Sequence, residues 1–214
     1  MGQRPKVLNH HLPLTGINCR EGGDDVLAIR IFIDQGHNPQ GVNAGAEGNG
    51  LREQDVTYVV GQALAAMLGD DPRFAVRLSR NTPTESLGTS NASSLAARVR
   101  MANSWPANYF VSIHCNSNPN PAINGSEVYV YQEGTQAFWL GQHIVQGLVR
   151  EAGTRDNGVR VNPSLYVLRK TTMPAVLVEL GYLTNVNDAA KLRDNPQSFA
   201  RGIYQGLLSY FGFA

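Results

Sequence analysis

Short apolar runs that alternate with helix-length amphipathic stretches constrain this chain more than any other feature. The segment Leu27 to Asp34 (LAIRIFID) is largely apolar, carries β-branched residues and is closed by Gly36, which suits a buried strand. A polar, glycine-rich loop from Asn38 to Gly50 follows. From Glu53 the positions Val56, Val59, Val60, Ala63, Leu64, Met67 and Leu68 recur at three and four residues. They line one face of a helix that stops at Gly69, with Pro72 beyond. Alternation at Phe74, Val76 and Leu78 marks a second strand, and Leu95 to Asn103 a helix capped by Ser93 or Ser94. Tyr109 to His114 (YFVSIH) and Glu127 to Tyr131 (EVYVY) are the third and fourth strands, followed by a helix from Thr135 to Ala152 closed by Gly153. Leu165 to Leu168 and Ala175 to Leu180 (AVLVEL) read as strands five and six, before helices near Asp188 to Leu192 and from Pro196 to Phe211.

Strands separated by helices of this length call for an α/β layer, a mixed, mostly parallel sheet covered on both faces. EVYVY follows its predecessor through a loop, which leaves antiparallel pairing open, and the pattern does not fix strand order. Residues 1–26 show no clean period and read as an irregular arm; residues 27–214 read as one domain. A chain of 214 residues buries a sufficient core without disulfides or metals.

Composition excludes several roles. Eighteen Lys and Arg against 17 Asp and Glu leave a net charge of +1, which provides no chain-wide cationic field for nucleic acid or anionic lipid. Two cysteines, Cys19 and Cys115, are too few for a disulfide scaffold and form no CxxC motif. No stretch approaches the roughly 18 apolar residues of a membrane span. The start, MGQRPKVLNHHLPLTG, lacks an apolar signal core, so either the chain is made without a cleavable signal or it begins after one.

In open α/β sheets catalytic groups collect just past the carboxyl ends of strands. Three ionisable residues end strands here: His37 after LAIRIFID, His114 closing YFVSIH, and Glu179 near the end of AVLVEL. Glu53 opens the first long helix and falls in the same layer if that helix runs back antiparallel to the strand. Two His and a carboxylate are the ligand set of many catalytic zinc sites, and a further free carboxylate is needed to move the proton of the attacking water. Taken singly, each residue also has an ordinary reading. A strand-end His is commonly a hydrogen-bonded structural residue, a first-turn Glu is favoured by the helix dipole, and a Glu in an apolar strand can be structurally paired. Their separations match no short metal motif.

The segments IFIDQGHNPQ, GLREQDV, VSIHCNS, NGSEVYVY and PAVLVELGYLTNVNDAAKL resemble, in order and spacing, the zinc-dependent N-acetylmuramoyl-L-alanine amidases of the amidase-3 family. The resemblance covers about residues 28 to 211. It implies a twisted, mixed six-stranded sheet flanked by helices, one zinc ion per chain held by His37, Glu53 and His114, and Glu179 as the catalytic carboxylate. Gln35, Asn38 and Cys115 depart from the usual family residues around the two His. Strand alternation points Cys115 to the face opposite His114. Asp34, three residues before His37, is a candidate to hold the His tautomer, alongside a plain turn role. His10, His11 and His143 read as surface residues, and Trp105, Trp139 and the tyrosines as core or groove lining.

The implied reaction is hydrolysis of the amide between N-acetylmuramic acid and L-alanine of the stem peptide, with peptidoglycan as partner, no nucleic acid and no membrane span. A monomer acting at the cell wall or outside the cell is expected, as an autolysin or a phage-type lysin. A zinc carboxypeptidase is disfavoured because the residue three after His37 is Gln40, where its H-x-x-E motif needs Glu. A serine hydrolase lacks its G-x-S-x-G elbow. A wall-binding module that kept the scaffold and lost catalysis is the alternative from a different class.

Overall fold

The computed structural model describes residues 28–213; the arm expected over residues 1–26 lies outside them. Strand β1 (Ile29–Gln35) is followed by a small hairpin, β2 (Glu47–Gly48), inside the stretch expected to be loop, and β3 (Leu51–Arg52), just beyond it. Then come α1 (Glu53–Gly69), β4 (Phe74–Leu78), α2 (Asn91–Ser104), β5 (Tyr109–Asn116), β6 (Ser126–Val130) and α3 (Gln136–Ala152). The chain continues through β7 (Asp156–Val161), α4 (Tyr166–Lys170), β8 (Ala175–Tyr182), α5 (Val186–Asp194) and α6 (Pro196–Phe211). The main sheet has six strands in the order β4-β1-β5-β8-β6-β7. Strands β4, β1, β5 and β8 run parallel, β6 is antiparallel to β8, and β7 is parallel to β6.

The mixed, mostly parallel six-stranded sheet is therefore as expected, but its membership is not. Leu165–Leu168 is not a strand: Leu165 caps α4, whose Val167 and Leu168 pack with Phe32 and Phe110. The sixth strand is β7, whose sequence DNGVRV is polar because it forms an edge and is nowhere fully buried. Helix α2 begins four residues earlier than its apolar period suggests. Ser90 caps it in a reciprocal box with Ser93, which satisfies the first orphan amides before any apolar residue is needed.

Strand alternation divides the core. On one face Ile31, Ile33, Val111, Ile113, Val176 and Val178 pack under α1, α3 and α6. On the other, Phe32, Phe110 and Leu177 meet Val99 and Ala102 of α2 and Val167 and Leu168 of α4. Helices α3 and α6 cross at glycines: a Cβ on Gly147 would fall 2.1 Å from the Gly202 carbonyl oxygen. The chain leaves β1 through α1 to reach β4 on one side, then passes through α2 to β5 on the other. The carboxyl ends of β1 and β5 consequently border the crevice where such sheets bind ligands.

Candidate metal centre

Gly36 carries the chain from β1 across the end of β5, where a Cβ would stand 2.6 Å from both His114 Cε1 and the Ile113 carbonyl oxygen. His37 follows with φ 69°, a left-handed backbone that costs a non-glycine residue about 1–2 kcal/mol. Its carbonyl accepts a hydrogen bond from Arg98 Nη2 at 2.6 Å. Its Nδ1 lies 3.2 Å from the Asn43 carbonyl oxygen, which can only accept, so Nδ1 carries the proton and Nε2 presents a lone pair.

That lone pair faces two others. His37 Nε2 lies 3.0 Å from Glu53 Oε1, His114 Nδ1 lies 3.0 Å from the same oxygen, and the two ring nitrogens are 3.1 Å apart. Glu53 reaches this point because it is the first residue of α1, while its amide donates to the Ala46 carbonyl. Glu53 Oε1 also accepts from the Cys115 amide at 3.0 Å and Oε2 from the Ala46 amide at 2.9 Å. Burial raises the Glu53 carboxyl, but the imidazoles of His114 and His37 outweigh it and hold the group far below the usual carboxylate range. Gly45 makes room: a Cβ there would lie 2.7 Å from Glu53 Cβ and 3.0 Å from His37 Cδ2.

Two imidazole nitrogens and a carboxylate oxygen meeting at 3.0–3.1 Å fit a small divalent cation. Ligand atoms of a tetrahedral zinc site with bonds of about 2.0 Å are roughly 3.3 Å apart. His37, Glu53 and His114 are the one such group of metal-ligating side chains among the described residues.

Glu179 stands beside this group. It is the register partner of His114 across the β5–β8 pair and of Glu127 across the β8–β6 pair. Its Oε2 is sealed from solvent and has no hydrogen-bond partner among the described residues. Burial first, then the charges of Glu53 and Glu127, push its carboxyl well above the usual range. An orphaned carboxylate facing a metal-ligand set is a group available for proton transfer.

The remaining sequence candidates fall as follows. Asp34 touches neither imidazole: it accepts from Arg98 Nη1 at 2.6 Å and Ser112 Oγ at 2.8 Å, so it reaches the His37 loop through Arg98. Cys115 is buried on the opposite face of the sheet, and burial followed by the Glu53 and Glu179 charges pushes its thiol up. His143 is not a plain surface residue; it is half-buried on α3, with Nδ1 2.9 Å from Ser209 Oγ. His10 and His11 lie outside the described residues. Trp105 packs against Phe32, while Trp139 remains 47% exposed. Sequence reasoning missed Glu127, which is only 2% exposed, because its period-2 position in EVYVY looks like ordinary alternation.

Fold and site together define an α/β protein with a candidate catalytic metal centre at the carboxyl edge of its sheet. Residues 31–209 match the family model described as N-acetylmuramoyl-L-alanine amidase. The N-acetylmuramoyl-L-alanine amidase LytC of Bacillus subtilis is 37% identical over 191 residues, which cover 87% of this chain and 36% of LytC. The N-acetylmuramoyl-L-alanine amidase CwlM of Bacillus licheniformis is 36% identical over 190 residues, covering 87% of this chain and 70% of CwlM. The crystal structure of an N-acetylmuramoyl-L-alanine amidase from Clostridium difficile 630 superposes with a TM-score of 0.77 at 31% identity, covering 86% of this chain and 97% of that one. The chain belongs to the N-acetylmuramoyl-L-alanine amidase family; it spans about a third of the length of LytC.

Proposed function

We propose that this chain hydrolyses the amide between N-acetylmuramic acid and L-alanine in peptidoglycan, with one zinc ion held by His37, Glu53 and His114 and with Glu179 as the proton carrier. The observation that supports this most is the convergence of three lone-pair donors beside a sealed, unpartnered carboxylate, in a chain of this family. Zinc bound there supplies a Lewis acid and lowers the pKa of water toward about 7.

The rest is done by the chain's own groups. Asn43 fixes the His37 tautomer, and the Cys115 and Ala46 amides fix the Glu53 carboxylate, so the donor set is organised before any ion arrives. Glu179 takes the proton from the attacking water and delivers it to the departing nitrogen. The products are a free lactyl carboxylate on the sugar and a free amino group on L-alanine. Its raised affinity for a proton suits the second half of that task. All four groups come from one chain, so the reaction calls for no second copy. The site of action is the cell wall, and no described helix is long and apolar enough to cross a membrane.

The test is digestion of purified peptidoglycan by the zinc-loaded protein, followed by identification of the new end groups. New amino-terminal L-alanine, suppressed by a chelator and restored by zinc, is expected. New reducing sugar ends, new amino termini further along the stem, or chelator-insensitive cleavage would each overturn the assignment.

A further inference from the structure

The floor beside the candidate metal centre continues past Glu179. His114, Glu179 and Glu127 are register neighbours on β5, β8 and β6, so their side chains rise from one face in a row. Glu127 Oε1 accepts from Asn116 Nδ2 at 2.8 Å, Tyr129 OH at 3.0 Å and Tyr182 OH at 3.3 Å. Its Oε2 lies 2.6 Å from Nε of Arg160, on β7. The two partners differ sharply in exposure, 2% for the Glu127 side chain and 54% for that of Arg160. A buried carboxylate, fixed by three donors, is therefore in ion-pair contact with the Nε edge of an exposed guanidinium. Among the described residues, neither Nη group of Arg160 has a hydrogen-bond partner.

Glu179 and Glu127 line this stretch of floor with carboxyl groups, and an anionic ligand group crossing it needs a local cation. Strands about 4.8 Å apart put the β6 position roughly 10 Å from the β5 position, or about three residues of extended peptide. Accepting the amidase reading above, we propose that Arg160 binds a free carboxylate of the stem peptide within about three residues of the cleaved bond, and that Glu127 aims it. A guanidinium matches a carboxylate with two parallel charge-assisted hydrogen bonds, whereas a carboxamide offers one neutral oxygen. Two sources of that carboxylate lie within reach. One is the α-carboxylate of a second-position glutamate linked through its γ-carbon, and the other is the side-chain carboxylate of a diamino acid at the third position.

Four synthetic N-acetylmuramoyl tripeptides, with carboxylate or carboxamide at each of these two positions, separate the sources. The zinc-loaded full chain is compared with R160Q and R160K, together with calorimetric binding of the four matching free tripeptides. The wild type should favour the carboxylate at one position by roughly tenfold in kcat/KM, the scale of one hydrogen bond to a charged group, and the favoured position identifies the source. In R160Q that ratio should fall to near one, in R160K it should lie between, and peptide binding should lose the same discrimination. A wild type without preference, or an R160Q ratio equal to that of the wild type, overturns the proposal. The second result is what an arginine that merely balances Glu127 would give, because it would slow all four substrates alike. If the wild type cleaves none of the four but binds the carboxylate peptide better through Arg160, the amidase reading fails and the Arg160 assignment stands. If it neither cleaves nor discriminates in binding, both fail.

Discussion

His114 and Glu179 are register partners on the parallel pair β5–β8, so a candidate metal ligand and a candidate proton carrier stand on adjacent strands at the same height. Neither depends on a flexible loop for its position. Because Glu179 makes no hydrogen bond through its sealed Oε2 among the described residues, replacing it removes chemistry without orphaning a partner there. Glu179→Gln should keep its fold and its zinc content while turnover on peptidoglycan drops by about 10²- to 10⁴-fold, the usual contribution of a positioned acid–base group. Turnover near wild type, measured beside metal content, would remove Glu179 from the mechanism.

How much of this was legible beforehand varies by element, for physical reasons. His37, His114 and Glu179 stood out because buried parallel strands are apolar runs, and an ionisable residue near the carboxyl end of one is conspicuous. Glu53 was legible as a helix start. Strand β7 was not, because an edge strand needs no apolar run. The apolar run Leu165–Leu168 competed for its place and proved to be one turn of helix lying on the face of Phe32 and Phe110. The Glu127–Arg160 contact was invisible for the same reason, since it exists only through the β6–β7 pairing. Arg98 gave no signal either: nothing in the pattern of α2 singles it out, and only the tertiary structure brings it under the His37 carbonyl.

Removing the ion should leave three donors at 3.0–3.1 Å with nothing to bind but protons. The chelated protein should lose activity and melt at a lower temperature than the zinc-loaded one. At free zinc about a thousand times its dissociation constant, the difference amounts to about 4 kcal/mol of stability. Equal melting curves with zinc and with chelator would mean that these side chains hold no ion in the native state.

Gly45 gives the most local test of the ligand geometry. A methyl group there would lie 2.7 Å from Glu53 Cβ and 2.8 Å from Glu53 Oε2, so the carboxylate must move. Gly45→Ala should weaken zinc binding by roughly 10- to 100-fold, as displacement of supporting groups commonly does. Competition with a chromophoric chelator measures this directly, and unchanged affinity would show that the loop yields instead.

The crossing of α3 and α6 allows a stability test away from the site. A Cβ on Gly147 would fall 2.1 Å from the Gly202 carbonyl oxygen, which is backbone and cannot rotate aside. Gly147→Ala should therefore separate the helices and destabilise the protein by about 1–3 kcal/mol, the usual cost of overpacking. Urea unfolding should show it, while zinc affinity stays as in the wild type.

Asp34 links the site to acid stability. Burial raises its carboxyl, but the charge and hydrogen bond of Arg98, aided by His114 and Ser112, lower it below its ordinary value of 3.8. A depressed native value means that the unfolded chain binds the proton more readily. The stabilisation is therefore fully present above about pH 3.8 and is lost as pH falls through the native value. Asp34→Asn should cost about 3–5 kcal/mol at pH 7, since it leaves Arg98 buried without its counter-charge. That gap should narrow below pH 3.8, where the carboxylate of the unfolded wild-type chain begins to take a proton that the folded state still resists. Urea unfolding of the chelated wild type and variant at pH 7 and pH 3 measures both gaps, and an equal gap at the two pH values would show that the charge of Asp34 is not what secures Arg98.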